Sequence, residues 1–252
     1  MNTLFFDCSM GAAGDMLIAS LLELIPEQVR MIAKLNALGL PDVSFTIRQV
    51  RRCGILGTEV TVRVHGEEED AVGEHHGHEH HRHTGLEEIR RLVESMPVSD
   101  AVKKNVLQVY QKVAAAESAV HGVPVTEIHF HEIGAMDAVM DITAFCLLLE
   151  ELAPERIVVS PICVGSGQIH CAHGLLPIPA PATAELLKGV PIYAGSIKGE
   201  LCTPTGAALL TQFASEYAPM PALCVEKIGY GMGKRDYPAA NCVRAFWGRS
   251  AG

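Results

Sequence analysis

The chain has 252 residues, 48% of them hydrophobic and 19% charged, with a formal charge of −9 when histidines are neutral. That length can bury a sizeable core in one large domain or two small ones, and the acidic balance lacks the basic footprint of a nucleic-acid binder. No membrane span is expected, because the longest apolar run, near residues 175–184, is interrupted by Pro177, Pro179 and Pro181.

Leu4-Phe5-Phe6 reads as a short buried strand, with no basic n-region or cleavage site ahead of it. Eight cysteines are scattered singly with no C-x-x-C pair, so structural-zinc spacing is absent and reduced thiols in a cytoplasm are expected. Asp7 ends the strand, and Gly11-Ala12-Ala13-Gly14-Asp15 then opens a helix through Leu17, Leu21 and Leu24. A strand, a glycine turn and a helix together present backbone N–H groups to an anion. Gly11 and Gly14 lack the spacing of a P-loop or a dinucleotide fold, so a tight turn with Asp15 favouring the helix N-terminus is an equal alternative. Asp7 is more suggestive, since strand C-termini carry ligands in α/β proteins.

A second helix is expected after Pro26, stopping at Gly39. Val43, Phe45 and Ile47 alternate, as do Val60, Val62 and Val64, which predicts an antiparallel pair with one wet face, joined through Arg51, Arg52 and Gly54. Residues 65–83 then change character. They hold seven of the twelve histidines, including His75, His76, His78, His80, His81 and His83. Such a tract has no apolar face to bury and is expected to be a disordered loop. Imidazole suits nickel, copper and zinc, so it reads as metal capture, with a solvated linker as the bland alternative. A short amphipathic helix over residues 86–96 follows. A longer one starts from Ser99 as N-cap, with Val102, Val106, Val109, Val113 and Val120 as a core stripe.

The densest chemistry lies between His129 and Asp141. If residues 127–131 are extended, Glu127, His129 and His131 share one face while Ile128 and Phe130 share the other. If a helix begins near Gly134, Asp137 and Asp141 fall four apart on one face. His129, His131, Glu132, Asp137 and Asp141 are therefore aimed into one small volume, the composition of a metal or acid–base site. A surface turn with solvated charges is the bland reading. That helix continues through Ile142, Phe145, Leu149 and Leu152, and residues 156–162 read as a buried strand.

A glycine-rich turn then delivers His170, Cys171 and His173, which fit either a metal site or a buried thiol beside core histidines. Thr203 and Pro204 mark a helix start, where Thr203, Thr205 and free N–H groups suit a phosphate. Gly229, Gly231 and Gly233 stand beside Lys234 and Arg235. Glycine allows close backbone approach to a ligand and the cations suit its phosphate; a bulge or turn is the plain alternative. The sum is an α/β fold, mixed α+β, in a single sheet-based domain over residues 1–248. Its halves are 1–66 and 121–248, with the His-rich loop at 67–83 and a helical pair at 84–120 inserted between them.

Taken jointly and in order, six motifs resemble the N-terminal part of the nickel-insertion proteins of the lactate racemase cofactor pathway, the LarC family. They are Asp7-Cys8-Ser9-Met10-Gly11-Ala12-Ala13-Gly14-Asp15-Met16, the histidine-rich insert, the stretch from His129 to Asp141, the stretch from His173 to Thr183, Thr203-Pro204-Thr205-Gly206, and Gly229-Tyr230-Gly231-Met232-Gly233. The resemblance implies a lyase-class reaction that inserts Ni(II) into a pyridinium-3,5-bisthiocarboxylate mononucleotide and consumes CTP with Mg or Mn. The product is a nickel pincer for a lactate racemase-type apoenzyme. Full-length members carry a further C-terminal domain thought to bind CTP. The expectation is that this domain is absent here or supplied as a separate chain, and a homo-oligomer is allowed. Under the resemblance the histidine tract gathers nickel. His129 or His131 takes the ring proton with Glu132 orienting it, and the residues near Thr203, Thr205, Gly231, Lys234 and Arg235 grip the phosphate. Two other function classes stay open: a non-catalytic nickel storage protein or metallochaperone, and a metal-dependent nucleotide hydrolase built on Asp7, Asp15, Asp137 and Asp141.

Overall fold

The computed structural model describes residues 1–40, 42–64, 66–68, 84–130, 136–171 and 174–250. Strand β1 (Asn2–Asp7) leads through a glycine turn into helix α1 (Gly14–Leu22), and α2 (Gln28–Asn36) follows. Strands β2 (Val43–Arg52) and β3 (Ile55–Val64) form an antiparallel pair, with short β4 (Glu67–Glu68) laid back on β3. Their turn uses Cys53 and Gly54, both at positive φ.

After β5 (Thr84–Gly85) come α3 (Leu86–Ser95) and α4 (Asp100–His121). The Ser99 hydroxyl caps α4 by accepting from the Val102 N–H at 3.1 Å, and Gly122 ends the helix in the left-handed region. A 3-10 turn (Val125–Glu127) and β6 (His129–Phe130) lead to α5 (Met136–Leu152). Helix α5 is buried nearly all round, as a helix apolar on every side must be. Next are β7 (Arg156–Val159), β8 (Ile162–Cys163), β9 (Gly165–Ser166), and the hairpin of β10 (Gln168–Cys171) and β11 (Gly174–Pro177). Helix α6 (Pro181–Leu186), β12 (Ile192–Tyr193), β13 (Gly199–Glu200) and α7 (Pro204–Phe213) follow. The chain closes through β14 (Glu216–Tyr217), β15 (Leu223–Met232) and β16 (Cys242–Ser250).

The main sheet is mixed, in the order β14-β7-β1-β16-β15-β3-β2, with β4 off the path on β3. Because β16 is antiparallel to both β1 and β15, the strands β1, β7, β14 and β15 all run the same way. The α/β layout expected from the sequence is therefore what forms. Helix α1 packs on β15, β16 and β3, with α5 against it and α4 packed outside α5. Leu4, Phe6, Val243 and Ala245 face this main core, while Phe5, Val158 and Phe246 form a small cluster on the opposite face.

Several local expectations give way to tertiary packing. Strand β3 has no simple wet face, since Thr58 and Glu59 are buried along with Val60. The single strand expected over residues 156–162 divides into β7 and β8 around Pro161, which has no N–H to give a ladder. Val120, placed in the core stripe by spacing, is 37% exposed near the end of α4. Glu127 belongs to the 3-10 turn, so it does not share a strand face with His129. Ile128 and Phe130 are buried as expected.

Candidate active site

Three helix starts converge where β1 ends. The turn after β1 is closed by the Gly11 N–H donating to Cys8 O at 3.0 Å, and the Ala12 N–H donates to Leu201 O at 2.9 Å. In return the Thr203 N–H donates to Ala12 O at 3.0 Å, which ties the start of α7 to the start of α1. Thr203 caps α7, its hydroxyl oxygen accepting from the Gly206 N–H at 3.2 Å. A Cβ on Gly206 would come within 2.2 Å of Ala12 O, so only glycine lets the two segments meet this closely. Helix α5 arrives from the other side. A Cβ on Gly14 would lie 2.8 Å from Asp141 Oδ2 and 3.1 Å from Thr205 Cγ2. Gly14, Thr205 and Asp141 are thus immediate neighbours.

This arrangement crowds carboxylates. Burial pushes the Asp141 carboxyl well above the ordinary range, and Asp15 and Asp137 push it further, against an opposing pull from Lys234. Among the described residues its Oδ1 is buried without a hydrogen-bond partner. Asp15 is raised by burial and by Glu59, again against the pull of Lys234, while its Oδ1 accepts from the Met16 N–H at 2.8 Å. The fully buried Tyr110 of α4 reaches the same place: burial first, then Asp137 and Asp141, raise its phenol. Its ring meets Phe130 edge-on at 5.6 Å. Adjacent carboxyl groups in a desolvated site do not all ionise together, so the cluster holds protons to higher pH than free carboxylates do. The positive ends of the helices and Lys234 offset the charge that remains.

Asp7 has a different environment. Burial raises its carboxyl, but the Arg244 guanidinium and Ser9 more than offset this and hold it below the usual range. Arg244 Nε donates to Asp7 Oδ2 at 2.9 Å, and the guanidinium also lies over Phe246, 5.3 Å from the ring centroid. Beside this pair is a cleft of about 270 Å³ lined by Ser9, Met10, Ile55, Tyr230, Cys242 and Arg244 among others. The nearby Cys8 and Cys202 thiols are buried and pushed upward, so both are protonated rather than nucleophilic. A larger cleft of about 400 Å³, bounded by Lys112, Glu185, Lys188 and Tyr217, contains none of the residues singled out by sequence.

The sequence candidates divide accordingly. Gly14, Asp141 and Thr205 come together, and Asp15, Asp137 and Lys234 act on Asp141 through their charges. Gly11 sits at φ +90, where its Cβ would strike Leu201 O at 2.0 Å, and Gly231 lies inside β15, where a Cβ would come within 1.8 Å of Met16 O. The close approach at Gly231 is therefore made by helix α1. Arg235 gives its carbonyl to Asn241 Nδ2 at 2.9 Å. His170 is exposed on the β10–β11 hairpin. His75, His76, His78, His80, His81, His83, His131, Glu132 and His173 lie outside the described residues, and of His129 only the backbone in β6 is described. Among the described residues, no group of three His, Cys, Asp or Glu side chains is placed to hold a metal ion. No helix among them is long and apolar enough to cross a membrane. Sequence reasoning missed Tyr110 and Glu59. Tyr110 sits among the valines of the core stripe with nothing to mark it. Glu59 did carry a signal, as a charge in the middle of a β-branched strand.

A family model described as nickel insertion protein matches residues 4–252. Three relatives share the name pyridinium-3,5-bisthiocarboxylic acid mononucleotide nickel insertion protein. One from a Nocardioides species is 41% identical over 249 residues, covering 98% of this chain and 60% of the relative. Another, from Clostridium kluyveri, is 39% identical over 253 residues, at 98% and 62%. The relative from Geobacillus kaustophilus is 37% identical over 238 residues, at 94% and 57%. The chain thus spans about three-fifths of the length of these relatives. No solved structure matches it.

Proposed function

Because the chain belongs to the nickel insertion protein family, we propose that it carries out Ni²⁺ insertion into the substrate its relatives are named for, pyridinium-3,5-bisthiocarboxylic acid mononucleotide. In the finer reading the reaction is of the lyase class and consumes CTP with Mg or Mn. CTP binds in a part of the protein beyond this span or in a separate chain, and the nickel pincer produced serves a lactate racemase-type apoenzyme. Nickel enters as substrate.

One observation supports placing the chemistry at the convergence of α1, α5 and α7: Asp15 and Asp141 are both raised by burial, Asp141 further by Asp15, and both feel the opposing charge of Lys234. Bonding nickel to a ring carbon breaks a C–H bond, and the proton needs an acceptor. A carboxylate pair that shares one proton has an ionised member more basic than a free carboxylate, so it takes the ring proton at neutral pH. Its remaining negative charge also favours the approach of Ni²⁺ and a cationic pyridinium ring. Thr203 is already used as a cap for the Gly206 and Ala207 N–H groups, so Thr205, Lys234 and Arg235 are the groups left to meet the nucleotide phosphate. His129 and His131, with Glu132, stand in the rival position as base, and the tract from His75 to His83 together with His170 and His173 as nickel donors.

Asp141→Asn and Asp15→Asn test this in protein that includes whatever CTP-binding part the reaction needs. Loss of the acceptor is expected to slow nickel insertion by roughly 10²-fold or more, read by mass spectrometry of the nucleotide. Unchanged rates in both variants, with His131→Ala inactive, would move the base to the imidazole.

A further inference from the structure

Glu59 is a carboxylate with no exposed side-chain surface, in the middle of β3. A charge in such a place must be paired. Arg48 Nε donates to its Oε1 at 2.5 Å from a side chain that is 67% exposed. Arg52 Nη2 donates to its Oε2 at 3.1 Å from a side chain only 19% exposed. Arg52 also reaches a segment 181 residues further along the chain. Its Nε donates to Gly233 O at 3.3 Å and lies 3.4 Å from Asp236 Oδ1, and its Nη2 donates to Lys234 O at 3.3 Å. From the other side, Asn241 O accepts from the Gly233 N–H at 2.9 Å, and Asn241 Nδ2 donates to Arg235 O at 2.9 Å. A Cβ at Gly233 would come within 2.4 Å of the Asn241 amide and displace it.

The backbone is therefore held on both sides of Lys234, an exposed residue whose charge pulls on both Asp15 and Asp141. We infer that Arg52, anchored by the buried Glu59, is a positioning residue that fixes the 233–236 loop so that the Lys234 ammonium stands beside the Asp15–Asp141 pair. The inference rests on the acid-pair reading above. A planar fork of donors is needed to span a carboxylate and two carbonyls at once, which Lys cannot do. Among the described residues, the other titratable groups coupled to the pair are Asp137 on α5, Tyr110 on α4 and Glu59 itself.

A double-mutant cycle decides it. Arg52→Ala and Lys234→Ala are each expected to lower kcat/KM for nickel insertion about tenfold, and the double variant to be no slower than Lys234→Ala alone. Since Lys234 pulls both carboxyl groups downward, each single variant also moves the acidic limb of the pH–rate profile to higher pH. The same upward move appears in the Asp15 and Asp141 carboxyl titration followed by ¹³C NMR without substrate. Arg52→Lys behaves like Arg52→Ala. Arg52→Gln combined with Glu59→Gln leaves no charge buried alone and carries the same cycle if Arg52→Ala fails to fold, as read by thermal melting. Losses that multiply in the double variant, or a carboxyl titration indifferent to Arg52, overturn the inference. A titration that moves while insertion ignores all these variants keeps the positioning role and removes the acid pair from the reaction.

Discussion

A carboxyl group buried beside two others binds its proton more tightly than it does in the unfolded chain, and Asp141 is in that position. The folded state then holds more protons than the unfolded one at every pH between the ordinary carboxyl value of 3.8 and the raised one. Stability therefore falls as pH rises through that window, and the loss is complete above it. Asp141→Asn removes the ionisation and keeps the shape. It should raise Tm at pH 7 by about 2–4 °C, the shift that ~1 kcal/mol gives in a chain of this size, with the gain gone near pH 4. A variant that is more stable but inactive is the expected mark of a group kept for function. Asp7 has the opposite sign. Its depressed carboxyl contributes stability that is present above 3.8 and is lost as pH falls through the lower folded value. Arg244→Ala should accordingly lower Tm at pH 7 and leave it unchanged near pH 2, as a pH series of melting curves would show. Equal destabilisation at both pH values would assign the role of Arg244 to its packing over Phe246.

At the scale of elements, glycines report which contacts are fixed and which can give. Gly14 and Gly231 both sit at helix or strand contacts, yet what blocks a Cβ differs. At Gly231 the obstacle is the Met16 backbone carbonyl at 1.8 Å, so Gly231→Ala must pry α1 from β15. That overpacking should cost about 1–3 kcal/mol, visible in denaturant melts. At Gly14 the obstacle is the end of the Asp141 side chain, which can rotate. Gly14→Ala should therefore leave Tm nearly unchanged while nickel insertion drops, because the carboxyl is turned out of place; a large Tm loss with normal activity would refute this. The contrast also shows where sequence reading succeeds. The caps at Ser99 and Thr203 are local, set by residues within four positions, and they form where the sequence predicts them. The meeting of Asp15 with Asp141, or of Arg52 with Lys234, depends on segments brought together by the sheet order, and no local spacing encodes it. Gly231 was readable as a residue needing close approach, but whether a ligand or a helix makes the approach depends on where α1 packs.

For the whole molecule, the question is how nickel reaches a site whose described residues form no metal cluster. The connectivity bears on this. The histidine tract leaves after β4, which lies on β3, and the chain returns through β5, which pairs with β6 so that Gly85 lies opposite His129. On the proposed function, histidines between these two strands would raise the local nickel concentration without belonging to the catalytic constellation, because a tether converts capture into an effective concentration near the site. Deleting residues 75–83 separates supply from chemistry. The nickel concentration for half-maximal insertion should rise roughly tenfold or more, while the maximal rate at saturating nickel is retained and bound nickel, measured by elemental analysis, falls. A collapse of the maximal rate in a protein that still melts normally would place these histidines in the reaction itself. Retained half-saturation would reduce the tract to storage. Pairing the deletion with His131→Ala completes the argument, since supply and catalysis predict separable losses: one in the nickel dependence, the other in the rate at saturation.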